Sequence, residues 1–188
     1  MGKLRRIPTV ADIDKLYKSG DKLKLNKALE ARYEKIKNRF ETVGFGNFIG
    51  IHCVELAQGM ARLEVKGRND LSNWNGVIDG GVTAAMLDKS CAVAIATLID
   101  FEEQKFVTFH LDVDYVEPAE IDSVLLAEAF VSKIDTDETP VLIVPRGGKR
   151  LIHMHVRIFS RGKGYEYEVV SGTAWFQVYG RRRKTRSI

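Results

Sequence analysis

Hydrophobic positions along the chain change period, and each change predicts an element. Leu25, Leu29, Tyr33, Ile36, Phe40 and Val43 recur at spacings of three and four, with Lys, Arg, Glu and Asn between them. That is one apolar stripe on a helix, and Gly44 is its expected stop. Upstream, Val10, Ile13, Leu16 and Tyr17 predict a shorter helix. Thr9 and Asp12 open it in a box-like cap, and Ser19-Gly20 breaks it. From Asn47 the pattern is that of strands. Phe48 to Leu56 and Met60 to Val65 flank a turn at Gln58-Gly59.

A polar loop from Arg68 to Gly81 then runs into an apolar stretch from Met86 and Leu87 through Cys91, Val93 and Ile95 to Leu98. This reads as a helix without a wet face, which the rest of the fold must wrap. Val107, Phe109, Leu111, Val113 and Tyr115 alternate with Thr108, His110, Asp112 and Asp114, a period-two strand with one wet or interface-facing side. Val124 to Lys133, Leu151 to Phe159 and Tyr165 to Tyr179 are further strands. Thr136 to Gly148, with two prolines and a glycine pair, is a long loop, and residues 161–164 form a turn. Two strands, one buried helix and four strands predict an α+β fold, a long sheet of about six strands curled round the central helix. Residues 1–44 are a helical extension, 45–180 the main domain and 181–188 a tail.

The helix entry reads Asn73-Trp74-Asn75-Gly76-Val77-Ile78-Asp79-Gly80-Gly81. The first turn of a helix carries unpaired N–H groups and the positive end of its dipole. Paired glycines let another group come close, and an electron-rich oxygen suits the position. Asp88 is the only acid in the helix body. A carboxylate among apolar neighbours is costly unless paired, and in apolar surroundings it gains basicity.

This stretch resembles the helix entry of the hotdog-fold acyl-CoA thioesterases of the phenylacetic-acid-degradation type. Asn73, Gly76, Gly80, Gly81 and Asp88 fall at that family's spacing. The later strand from Thr108 through Tyr115 to Pro118 matches its Ser/Thr start and Tyr-x-x-Pro end. The resemblance covers roughly residues 45 to 180. It implies a hotdog fold and hydrolysis of an acyl-CoA thioester. In that reading the Gly80 N–H polarises the carbonyl, with Asn73 beside it and Gly81 in contact with substrate. Asp88 is the general base or nucleophile, and Thr108 orients the water. Gly80 and Asp88 are eight residues apart, about 12 Å along a helix, so they cannot both touch one thioester carbon. A working site then needs two subunits, and the resemblance implies a homodimer, or a dimer of dimers, with paired helices. Coenzyme A enters as substrate, and neither a metal nor another cofactor is required. Lys149 and Arg150 are candidates for its phosphates by charge, with a solvated turn as the other reading.

The chain departs from the family at one place, where Asp79 replaces a His. Asp79 reads equally as a helix N-cap. An ionised Asp79 would oppose negative charge building on a thioester oxygen, so the departure leaves open a non-enzymatic acyl-CoA-binding or sensor protein. Thr108 reads equally as an ordinary β-branched strand residue. A hotdog dehydratase would need a His where Asp79 stands.

Charge adds one correction. The net charge of +4 comes from Arg181, Arg182, Arg183, Lys184 and Arg186; the rest of the chain has 24 basic against 25 acidic residues. The basic character belongs to a tail, and no nucleic-acid partner is expected. The N-terminal helices lack a third to make a DNA-reading unit. Arg146 to Arg150 lacks the Lys-Ser/Thr ending of a phosphate loop. His153 and His155 share a strand face but have no third metal ligand in view. With Asp88 and Lys89 interrupting the apolar stretch, no membrane span is expected. Two scattered cysteines, Cys53 and Cys91, and no secretory leader predict a cytoplasmic protein.

Overall fold

The computed structural model describes residues 15–16, 18–20, 22–100, 103–133, 147–162 and 164–180. The predicted first helix up to Ile13, most of the loop 136–148 and the basic tail lie outside them. Helix α1 (Lys22–Thr42) is followed at once by α2 (Gly44–Ile49). Then come β1 (His52–Ala57), β2 (Met60–Lys66), a turn of 3-10 helix at Asn69–Leu71 and the long helix α3 (Gly80–Leu98). The chain closes with β3 (Lys105–Tyr115), β4 (Val124–Lys133), β5 (Lys149–Gly162) and β6 (Tyr165–Tyr179).

All six strands form one sheet in the order β1-β2-β4-β5-β6-β3, and every neighbouring pair is antiparallel. The sheet curls round α3, which is the hotdog arrangement. Met86, Leu87, Val93, Ala94, Ile95 and Ala96 are fully buried against the inward residues Leu63, Val65, Leu125, Met154, Ile158 and Val178. Burying each large side chain of this kind contributes about 1.5–3 kcal/mol, so the helix and sheet hold each other. By length and mean hydropathy α3, alone among the described helices, resembles a bilayer span, contrary to the reading that Asp88 and Lys89 rule one out, but it is the core helix and is largely buried.

Two expectations are corrected. The stretch from Phe48 does not begin a strand. Residues 44–49 form α2, ended by Gly50 in the left-handed region at φ 79°. Arg68 donates from Nη1 to the Ile49 carbonyl at 3.0 Å and from Nη2 to that of Phe48 at 2.8 Å. These bonds satisfy helix-end carbonyls that a strand pattern does not predict. Nor is α3 without an open face. Its second half is wholly buried, but Gly81, Ala84, Ala85 and Asp88 form a partly open stripe along its first half. Their spacing of three and four sets them on one side.

Along α1 the predicted stripe packs as expected. Ile36 joins the main core with Tyr33 and Phe40 beside it, while Leu25 and Leu29 pack with Ala28 and Leu16 in a smaller cluster. Val43 is exposed, because the helix has already ended.

Candidate active site

The start of α3 is held by hydrogen bonds from both sides. Asp79 is its N-cap, and its carboxylate accepts the Gly81 N–H at 2.7 Å. That bond occupies the Gly81 donor, so Gly81 does not offer its N–H to a substrate in this arrangement. The Gly80 N–H, at the first helical position, has no hydrogen-bond partner among the described residues. The carbonyl of Gly80 accepts the Thr83 hydroxyl at 2.9 Å and the Tyr115 hydroxyl at 3.1 Å. A Cβ at Gly80 would lie 3.2 Å from the Tyr115 ring, so the missing side chain is what lets the tyrosine close over the helix end.

Asn73 sits across from this end. Its side-chain oxygen accepts the Asn75 N–H at 2.9 Å and its own N–H donates to Val77 at 2.8 Å, which shapes the loop into a tight turn. Asn73, Gly80, Thr83, Tyr115, Pro118 and Val170 line a cleft of about 310 Å³. Asn73 and Gly80 therefore line one cleft, the placement that the family resemblance implies. The sequence pattern marks Tyr115 only as part of a strand end and gives it no role. Its place at the end of β3, three residues before Pro118, is the signal that marks it.

Two turns further along α3, Asp88 meets β3. The Thr108 hydroxyl donates to Asp88 Oδ1 at 2.5 Å, and Lys89 Nζ lies 3.2 Å from Asp88 Oδ2. The side chain of Asp88 is 23% exposed, so the carboxylate is open enough to meet water and is also oriented by two partners. Thr108 faces the helix because β3 carries a bulge between Thr108 and His110. The strict alternation expected from Val107 to Tyr115 is broken there. Thr108 then shares the inward face with Phe106, Leu111 and Val113, while Val107 and Phe109 are exposed.

The two halves do not meet within one subunit. Gly80, Asn73 and Tyr115 stand at one end of α3, and Asp88 with Thr108 lies about 12 Å along its axis. Lys149 and Arg150 are farther still. Lys149 pairs with Tyr179, which also pairs with Lys105 at the opposite end of β3 from Tyr115. An eleven-residue strand spans roughly 35 Å.

No group of three or more potential metal ligands occurs among the described residues. His153 instead bonds Ser132 through Nδ1 at 2.6 Å and packs on Trp175 and His155. Burial and the neighbouring His155 push its pKa down, which favours the neutral ring. Cys53 and Cys91 are free and buried.

A family model described as the thioesterase superfamily matches residues 75–137, which includes Gly80, Asp88 and Thr108. Comparison with curated proteins finds no match. Among solved structures, a thioesterase family protein from Silicibacter pomeroyi aligns with a TM-score of 0.65 at 20% identity, covering 79% of this chain and 98% of its own. Thioesterase superfamily member 2 from Mus musculus aligns at 0.60 and 19%, covering 77% and 96%. A hypothetical thioesterase protein from Streptococcus pneumoniae, solved with coenzyme A, aligns at 0.55 and 18%, covering 70% and 88%. These likenesses establish the fold.

Proposed function

We propose that the protein is an acyl-CoA thioesterase whose site is shared between subunits of a homodimer, in the manner of the phenylacetic-acid-degradation type. The observation that carries the reading is the hydrogen bond from Thr108 to Asp88, which turns a carboxylate at the family's spacing into an oriented base. The Gly80 N–H at the positive end of α3 suits a thioester oxygen as it gains charge. Asn73 stands on the same side. The remaining partner of the carboxylate, Lys89, leaves it accessible.

Shared sites are supported by the sheet. Among the described residues β3 is an edge strand that pairs only with β6, and it exposes Val107 and Phe109, a surface that invites a second strand. Pairing of two copies of β3 about a twofold axis brings the Tyr115 end of one chain to the Lys105 end of the other. The partly open face of α3 is made of small residues, so two such helices can approach closely. Gly80 of one subunit then faces Asp88 of the next, and Lys149 and Arg150 come to the neighbour's end of the site, where phosphate groups of coenzyme A would find cations. In this reading Asp88 takes a proton from water, the oxygen adds at the thioester carbon, and the C–S bond breaks as Asp88 returns the proton to the leaving sulfur, giving the free acid and the coenzyme A thiol. The buried, unpaired cysteines fit a reducing compartment, and we place the protein in the cytoplasm.

The experiment is a screen of short, medium, long and aromatic acyl-CoAs with free thiol as the readout, repeated on Asp88→Asn and Thr108→Ala. Asp88→Asn keeps the shape and removes the base, so turnover should fall by about 10²–10⁴ with an unchanged circular dichroism spectrum. Thr108→Ala should lose part of that, and Thr108→Ser should restore it. Tight binding of acyl-CoA without turnover would instead favour a binding or sensor protein on the same fold.

A further inference from the structure

A second cavity, of about 230 Å³, lies where the N-terminal helices meet the central one. Phe40, Val43, Phe45 and Ile51 give it apolar walls, and Arg39 and Lys89 bring two cations. Its position is specific. Lys89 follows Asp88 in the chain and keeps its ammonium 3.2 Å from the Asp88 carboxylate. Asp88, the acid that the thioesterase reading makes the base, does not line the cavity itself and is linked to it through Lys89. Arg39 stands exposed in the last turn of α1, with no hydrogen bond or ion pair among the described residues. The acid nearest to it in that turn, Glu41, is engaged elsewhere. It accepts the Cys53 N–H at 2.6 Å and faces His52 Nδ1 at 3.2 Å.

Apolar walls suit methylene groups. Two cations at the same cavity suit an anion, and a guanidinium takes a carboxylate through two parallel bonds. We propose that this cavity is the subsite for the acyl group, and that Arg39 and Lys89 select acyl chains ending in a second carboxylate, the half-thioesters of dicarboxylic acids. This rests on the thioesterase reading. An acyl carbonyl placed at Asp88 needs only a few methylenes to bring a distal carboxylate to Lys89, which then bridges it and Asp88. The reaction is unchanged: water adds at the carbonyl, the C–S bond breaks, and the thiol leaves with a proton. The N-terminal extension gains a role, because three of the wall residues named, Arg39, Phe40 and Val43, come from α1 and its junction with α2.

The test compares adipyl-CoA with hexanoyl-CoA, which have equal chain length and differ in the distal carboxylate. The full chain should favour adipyl-CoA in kcat/KM by about tenfold or more, the effect of one good charge-assisted contact. Arg39→Gln should collapse that ratio, chiefly through the KM for adipyl-CoA, and Arg39→Lys should restore part of it. A ratio near one in the unaltered protein, or a ratio that Arg39→Gln leaves unchanged, would overturn the proposal. Calorimetry with free adipate against hexanoate separates the two readings. Adipate that binds the unaltered protein and is weakened by Arg39→Gln, in a protein that hydrolyses no acyl-CoA, would keep the carboxylate subsite and remove the thioesterase. Hydrolysis without discrimination, and without adipate binding, would do the reverse.

Discussion

The guanidinium of Arg32, on the N-terminal extension, donates to the main-chain carbonyl of Ala96 at 2.9 Å, near the far end of the central helix. It also reaches the carbonyl of Ile99. Carbonyls at a helix C-terminus lack intrahelical donors and carry the negative end of the dipole. A buried arginine there supplies charge and several N–H groups at once. One turn later Ile36 is fully buried in the main core. The extension thus closes one end of α3.

Replacing Arg32 should therefore destabilise the whole domain. Arg32→Met removes charge-assisted bonds to buried carbonyls and should cost about 2–3 kcal/mol. For a chain of this size that is a fall in Tm of roughly 5–10 °C. Thermal denaturation followed by circular dichroism measures it. An unchanged midpoint would mean that the extension docks without supporting the core.

The distance between Gly80 and Asp88 predicts complementation between chains. Gly80→Val should block the carbonyl side, since even a Cβ there meets the Tyr115 ring at 3.2 Å. Asp88→Asn removes the base. Each variant alone should be inactive. Subunits mixed and allowed to exchange should recover activity, because the mixed dimer has one intact site of two. Exchange without recovery would place the site within a single subunit.

Asp79 combines a cap with a charge, and two substitutions separate them. Asn is as good a cap as Asp and carries no charge, whereas Ala loses the cap at a cost of about 1 kcal/mol. Asp79→Asn should hold thermal stability and raise turnover by about tenfold to a hundredfold, as expected if a like charge of 1–3 kcal/mol opposes the oxyanion. Asp79→Ala should show the same gain in rate with a lower melting temperature. Rates that stay flat across both variants would restrict Asp79 to its capping bond with Gly81.

The two thiols make stability sensitive to alkali. Burial, with Glu41 nearby, pushes the Cys53 pKa up to about 12, and burial with Asp88 nearby pushes Cys91 up as well. In the unfolded chain both ionise near their usual value of 9.0. Folding thus favours the protonated thiols. Their contribution is fully present below about pH 9 and is lost as pH rises from there toward 12. The urea midpoint should fall over that range. A Cys53→Ala, Cys91→Ala double variant should show a shallower fall, and an identical slope would refute the assignment.

The chain's own pattern determined the order of the two long helices and the six strands, because periods of two and of three to four follow directly from strand and helix geometry. The apolar run of α3 required a sheet around it. The placement of Asn73 beside Gly80 came from the family resemblance and not from periodicity, and the two line one cleft. The helix at Gly44–Ile49 was not legible. Its end depends on Arg68, nineteen residues past Ile49, whose guanidinium satisfies the last carbonyls. The meeting of Thr108 with Asp88 was not legible from periodicity either. Alternation alone sets Thr108 on the outer face with His110. The bulge that turns it inward forms only when β3 is laid against β6, where Thr108 pairs with Phe176 and His110 with Trp175, two residues opposite one step. A bulge is a property of two paired strands, so tertiary structure alone decides which hydroxyl the carboxylate meets.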